Sequence, residues 1–462
     1  MKIAVLNGSP KGLKSITMQS VQFIKKEFAQ HELEIINISQ KANKIKKDPE
    51  TLNNIIEKIK AADAVLWATP VYYFLVPSQY KTFIELIFQE DKNINAFRDK
   101  YTAVLTTSVH LLDHIAHNYL NAICDDLSMK FLGSFSADMH DFLDDKERQR
   151  LLLFMQSFFN GIEKKLPTAK KHGPIDHKAI EYKPSMPDGR IDMGRHKCVI
   201  LNDAEENQSN LFNMANAVAN HLKGDVEVIN LYDIDIKTGC QGCYHCAYDN
   251  TCRFEKEDEF VGVFNSKIEP ADILLFCGTI KDRYLSSRWK LFIDRTFFKQ
   301  HVPYLSGKQL GFLISGPLKK NPNLRQALEA YSDLMGANLV DIITDENESS
   351  EAMDALLSSL AQRLIDFAEK GYYQPRYFYS IGAMKIMRDL FWGKYRFLCQ
   401  ADHKFYKNNG IYDFPQKNYK DRMLNNIVIP LTRIPSVRKK LYNSVQEEMI
   451  KPYAKILNKI GE

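Results

Sequence analysis

The chain lacks any run approaching the roughly 18 continuous apolar residues of a membrane-spanning helix. Its best candidate, Ala64 to Val76, is broken by Thr69 and Pro70. The opening MKIAVLNGSPKG is too short in apolar length for a secretory signal and reads as a strand entering a turn. No G-x-G-x-x-G occurs, so a tightly held dinucleotide of Rossmann type is not expected. Cysteine is sparse, eight in 462 residues. Without an export signal, these thiols are expected to be reduced and the protein cytoplasmic.

Half of those cysteines nevertheless crowd into GCQGCYHCAYDNTC as Cys240, Cys243, Cys246 and Cys252. The spacing C-x2-C-x2-C-x5-C lets thiolates on a turning backbone converge on one metal centre, and both iron–sulfur clusters and structural zinc take four thiolates. A disulfide framework fits a long chain with this clustering poorly. Zinc remains the alternative metal. His245 lies inside the loop and reads as a spectator. Cys124, Cys198, Cys277 and Cys399 sit in apolar surroundings, the usual setting of a buried core thiol.

An internal repeat organises the rest. KIAVLN at Lys2 recurs as KCVILN at Lys197, and EIINI at Glu34 as EVINL at Glu227. ADAVLWATP at Ala62 recurs as ADILLFCGTI at Ala271, and KTFIE at Lys81 as KLFID at Lys290. The offsets are 195, 193, 209 and 209, so the second copy carries about sixteen extra residues, and these contain the cysteine loop. Each copy alternates apolar strands with amphipathic helices, which predicts an α/β fold: two tandem five-stranded, doubly wound parallel sheets of flavodoxin type. The expected division is 1–165 for the first copy, 166–195 for a linker, 196–371 for the second copy and 372–462 for a mostly helical extension. The extension holds 17 Lys/Arg against 7 Asp/Glu, so it carries +10; with +5 on the whole chain, residues 1–371 carry −5. That asymmetry marks a unit with its own surface role. A helix covering the second copy is the preferred reading of Ile381 to Leu398; docking to an anionic membrane or an acidic redox partner is the competing one.

Two loops of the first copy carry binding chemistry. NGSPKGLKSIT joins the first strand to a helix: Gly8 permits a tight turn, Ser9, Ser15 and Thr17 offer hydroxyls, Lys11 adds a cation, and the helix start presents backbone N–H groups to a phosphate. TPVYYFLVPSQYK follows the third strand, where Pro70 stiffens the turn and Tyr72 and Tyr73 offer faces for a flat ring. Together these pieces resemble the NAD(P)H-dependent FMN reductase family, and the cysteine loop looks like that of its iron–sulfur flavoprotein branch. The resemblance implies bound FMN and a four-iron four-sulfur cluster. It assigns the FMN phosphate to Ser9, Lys11, Ser15, Ile16 and Thr17, and the ring to Pro70, Val71, Tyr72 and Tyr73, with Gly8 and Pro10 shaping the loop. Lys11 stands where the family usually has Arg, and Ile16 where it usually has Asn. Thr107, Ser108 and His110 are candidates for the ring edge.

The second copy has Asp203, Glu205 and Glu206 in its equivalent loop, which repel a phosphate dianion. The expected division of labour is therefore flavin on copy one and cluster on copy two. The implied activity passes electrons among NAD(P)H or a ferredoxin-type donor, FMN and a one-electron acceptor, with NAD(P)H docking transiently. Its partners are small molecules or redox proteins, not nucleic acid, with an oligomer left open. The alternative is a flavin-free, zinc-stapled scaffold. No side chain stands out as a general acid or base.

Overall fold

The computed structural model describes all residues except 188, 300, 348, 394, 414–418, 441–442 and 445–462. They form two compact units, Met1–Phe405 and Tyr406–Glu462. The expected extension is thus divided, and its first part, 372–405, belongs to the larger unit.

In copy one the strands are β1 (Lys2–Asn7), β2 (Glu32–Asn37), β3 (Ala64–Pro70), β4 (Tyr101–Ser108) and β5 (Lys130–Asp138). All their pairings are parallel, in the order β2-β1-β3-β4-β5. β1, β3 and β4 are covered on both faces, which is why they read as continuous apolar runs instead of alternating. The helices are α1 (Ile16–Glu27), α2 (Ala42–Lys47), α3 (Pro49–Lys60), α4 (Ser78–Ile87), α5 (Asp91–Asn95), α6 (His114–Asp126) and α7 (Asp145–Glu163). Local chemistry sets their starts: Ser15, Asp48 and Asp144 accept from first-turn amides of α1, α3 and α7.

Copy two repeats this with β6 (Ile191–Asn202), α8 (Asn210–His221), β7 (Leu222–Asn230), α9 (Phe260–Val263), β8 (Ile273–Thr279), α10 (Ser287–Arg295), β9 (Gln309–Ser315), α11 (Pro322–Met335), β10 (Asn338–Thr344) and α12 (Ser350–Lys370). Its sheet order, β10-β9-β8-β6-β7, is the same topology met from the other edge. β6 begins at Ile191, inside the segment expected to be linker, because Asp192 and Ile191 already pair with Lys223 and Leu222. Beyond copy two lie α13 (Phe378–Trp392), α14 (Gln400–Asn408) and α15 (Tyr419–Leu431). Among the described residues, no helix is long and apolar enough to cross a membrane.

The copies share one core. Each keeps an outer cluster, under α1 and α7 in copy one and under α8 and α12 in copy two. The inner faces instead merge into a single apolar cluster that runs from Leu6, Trp67 and Phe83 to Phe276, Trp289 and Phe312. At its centre α4 packs on α10, its own repeat equivalent. The contacts are reciprocal. Ser78 N–H donates to Asp294 Oδ2 at 2.7 Å, and Ser287 N–H donates to Glu85 Oε1 at 2.6 Å. Adding the offset of 209 to 78 and 85 gives 287 and 294, so one contact is the other's symmetry mate. Each carboxylate also holds a buried lysine on its own helix, Lys81 for Glu85 and Lys290 for Asp294. This is the isologous geometry of a two-fold dimer, built within one chain.

Candidate functional site

The loop after β1 is arranged around donors. Gly8 lies against β3: its N–H bonds the Ala68 carbonyl at 2.8 Å, and a Cβ there would stand 2.6 Å from Thr69 Oγ1. Ser9, Ser15 and Thr17 are all buried, although each carries a hydroxyl. Ser15 Oγ accepts from Met18 N–H and its carbonyl takes Gln19 N–H, leaving the amides of Ile16 and Thr17 outside the helix's own bonding. Thr17 Oγ1 lies 2.6 Å from Thr107 Oγ1, so the end of β4 joins the same cradle. Buried hydroxyls and free amides at the positive end of a helix suit a phosphate.

Lys11 reaches the cysteine loop. Its Nζ sits 4.7 Å from the centroid of the Tyr244 ring, in the cysteine loop. Burial pushes its pKa down, while the fields of Cys240 and Cys243 oppose that shift. The Lys11 cation therefore bridges from copy one to the cysteine loop.

The turn after β3 is held by Val71 N–H on the Thr107 carbonyl and by paired Tyr72–Leu75 backbone bonds. Tyr73 and Phe74 both adopt positive φ, 42° and 66°, a strained state that tight packing maintains. Tyr73 is buried between the copies, stacked at 4.2 Å on Phe297, with its hydroxyl near Thr296. Tyr72 meets Phe297 edge-on at 5.4 Å, and its carbonyl accepts from Lys290 Nζ. Both tyrosines thus take partners from copy two. Pro70, Val71, Thr107 and Ser108 remain together at the strand ends.

His110 follows, with φ of 57° and its N–H on Ser108 Oγ at 2.8 Å. Its Nδ1 lies 3.2 Å from Asp113 Oδ2, which also accepts from Ser108 and Ser136. Burial works against the Asp113 charge, but the bonds from Ser136, His110 and Ser108 prevail and hold its carboxyl below the usual range. Asp113 was not singled out from the sequence; its signal was the three-residue spacing from His110.

The cysteine loop lies against this site. Gln79 Nε2 donates to the Cys240 carbonyl at 3.4 Å. Both glycines of GCQGC are required: a Cβ on Gly239 would strike Ser78 Oγ, and one on Gly242 (φ 59°) would strike Tyr72 Oη and come within 2.6 Å of Lys11 Cε. Burial pushes the Cys240 thiol up to about 12. Cys246 Sγ lies 3.5 Å from the Phe297 carbonyl, and Cys252 Sγ accepts from Arg295 Nη2 at 3.7 Å. Asp258 fixes that arginine. Cys243 and His245 are exposed. Among the described residues, no three side chains of metal-ligating type converge on one point. The loop supplies four thiols, the right donor chemistry, in the arrangement of free thiols.

The segment beyond copy two also makes contacts with both copies. Tyr395 Oη lies 3.0 Å from His140 Nε2, just beyond β5. Asp402 accepts from His301 N–H at 3.0 Å, and Phe391 packs on the His301 ring at 5.1 Å. Tyr395 therefore contacts the edge of copy one, and Phe391 and Asp402 contact copy two.

The equivalent loop of copy two is filled from within. Asp203 takes the place of Gly8 and accepts from Thr279 N–H at 2.9 Å and from the Ser286 hydroxyl. Thr69, which Gly8 accommodates, is replaced by Gly278. Glu205 pairs with Lys281 at 2.9 Å. From the linker, His177 reaches Asp345 at 2.9 Å and the Ile180 carbonyl accepts from Asn210, closing the neighbouring strand ends. Burial raises the Asp203 pKa to about 7 from an ordinary 3.8. The native state then holds a proton that the unfolded chain releases between those values, so this group favours folding at low pH and loses that contribution as pH rises to 7. Asp203→Asn should remove this dependence: urea midpoints of variant and wild type should converge near pH 4 and diverge in the variant's favour at pH 8. A wild-type curve that rises as steeply with pH as the variant's would contradict it.

Residues 1–141 match the family model described as NADPH-dependent FMN reductase. Solved structures similar to the chain include FerB, a flavoenzyme NAD(P)H:(acceptor) oxidoreductase from Paracoccus denitrificans, at 22% identity over 35% of this chain and 97% of that one, with a TM-score of 0.31. An NAD(P)H:quinone oxidoreductase from Methanothermobacter marburgensis is 15% identical over 37% of this chain and 99% of its own, TM-score 0.26. An FMN-dependent NADH-azoreductase from Bacillus anthracis str. Ames Ancestor, in complex with FMN, is 14% identical over 36% and 97%, TM-score 0.26. No curated protein matches the chain.

Proposed function

We propose, from the match of residues 1–141 to the family model described as NADPH-dependent FMN reductase, that the chain is an FMN-containing NAD(P)H oxidoreductase with a single flavin site, in copy one. The observation that carries this reading is the contrast between equivalent loops. Copy one gathers the buried hydroxyls of Ser9, Ser15 and Thr17 with the free amides of Ile16 and Thr17, whereas copy two fills the same place with Asp203. Bound FMN accepts hydride as a pair and releases electrons singly. The chain's own part is to hold the phosphate at the start of α1, to set the strand-end turns of Pro70–Tyr72 and Thr107–His110 around the ring, and to exclude water with Phe297 and the cysteine loop.

The finer reading adds a four-iron four-sulfur cluster on Cys240, Cys243, Cys246 and Cys252. Its support is the spacing and the contact of Gly239 and Gly242 with Ser78, Tyr72 and Lys11 of copy one. A cluster there would carry single electrons. Protein purified without oxygen should contain FMN, iron and acid-labile sulfide, with the last two lost in Cys246→Ala while flavin is retained. Stoichiometric zinc without sulfide would sink the cluster, and absence of both flavin and iron would sink the oxidoreductase reading itself.

A further inference from the structure

The chain segregates its charge: −5 on residues 1–371 and +10 on 372–462. In the smaller unit, residues 419–440 carry six basic side chains (Lys420, Arg422, Arg433, Arg438, Lys439, Lys440) against Asp421, a net of +5. On α15 the apolar positions Met423, Leu424, Ile427 and Leu431 recur at spacings of one, three and four, which places them on one helix face, while the exposed Ile429 lies on the other side. Those four are 67%, 58%, 56% and 48% exposed. Ile434, just beyond, is also exposed.

The larger unit shows the same combination independently. α13 buries Ser380, Ala383, Met387 and Phe391 and packs on α11, so the helix expected to cover copy two does cover it. Its other side presents Phe378 and Ile381, 78% and 43% exposed, and the following turn presents Phe397 at 80%. Arg396 lies over the half-exposed Trp392 ring at 5.5 Å. Exposed aromatic and aliphatic groups interleaved with cations form the pattern of a surface that lies in a lipid interface, apolar groups at the acyl boundary and cations at the headgroups.

We infer that α15 and the basic run after it, in the smaller unit, form a docking surface for an anionic bilayer, bound without crossing it. Charge complementarity decides the occupant: residues 419–440 carry +5 and are drawn to an anionic surface, whereas residues 1–371, at −5, are not. The α15 face supplies apolar contact, and Arg433, Arg438, Lys439 and Lys440 supply the attraction to phosphate headgroups.

Flotation of the full chain with vesicles tests this. Binding to phosphatidylcholine containing roughly a third phosphatidylserine should exceed binding to phosphatidylcholine alone by about tenfold or more, and should weaken with added salt. Leu424→Ser with Ile427→Ser, and separately Arg438→Glu with Lys439→Glu and Lys440→Glu, should each reduce it about tenfold with unchanged circular dichroism. Phe378→Ser with Phe397→Ser probes the larger unit in the same way. Failure to bind, indifference to phosphatidylserine, or insensitivity to all three variant sets overturns the proposal. So does concentration-dependent dimerisation that Leu424→Ser with Ile427→Ser abolishes, because the face would then belong to a second copy of the chain.

Discussion

Ser9→Glu should yield a protein nearly free of flavin. Ser9 is buried in the loop between β1 and α1, with its hydroxyl 3.3 Å from Lys11 N–H. A carboxylate introduced there faces the position of a phosphate dianion. At about 4 Å and an effective dielectric of 20, one such charge pair costs about 4 kcal/mol, roughly a thousandfold in affinity. Ser9→Ala removes one donor and no more, so its loss should be nearer tenfold, about 1.4 kcal/mol. Glu205→Gln, at the corresponding region of copy two, should leave flavin content unchanged. Fluorescence of released FMN per chain reads all three. Full flavin in Ser9→Glu, or two flavins per wild-type chain, would place the cofactor elsewhere.

Asp294→Ala should be strongly destabilising. Asp294 and Lys290 are fully buried between the copies, and Asp294 also accepts the first amide of α4 from Ser78. Removing the carboxylate strands an ammonium and a helix-start amide away from water, at a cost of about 3–5 kcal/mol. Lys290→Met with Asp294→Leu, which removes both charges, should recover most of that loss. Urea unfolding followed by tryptophan fluorescence suits the test, since Trp67 and Trp289 both lie in the shared core. A loss below about 1 kcal/mol would mean the reciprocal pairs are incidental to the joining of the copies.

Much of this architecture was legible in the chain because it is local and periodic. The repeated strand runs at Lys2 and Lys197, the Ser15 cap of α1, the donor-rich loop at Gly8 and the four cysteines each declare themselves within a dozen or so residues. Even the loss of the second phosphate loop was visible as Asp203, though as a repelling charge. The structure shows it instead as an internal plug, hydrogen-bonded to Thr279 and Ser286.

What tertiary structure alone decided concerns side chains whose partners lie far along the chain. Lys11 lies in the loop after β1, and its long stem reaches Tyr244 of the cysteine loop. Tyr73 looks like a ring-stacking residue in its own loop, yet the joined copies bury it on Phe297. Gly242 is an ordinary turn glycine until Tyr72 and Lys11 press against it, and Tyr395 has no visible task until His140 stands beside it. Periodicity and capping report how a segment meets the nearest core or its own helix end. They carry no information about which distant surface arrives opposite, because that depends on how two complete sheets dock. Strand order within each copy follows from hydrophobic pattern and chain connectivity; the meeting of the flavin loops with the cysteine loop follows from burying the inner faces of both copies in one core.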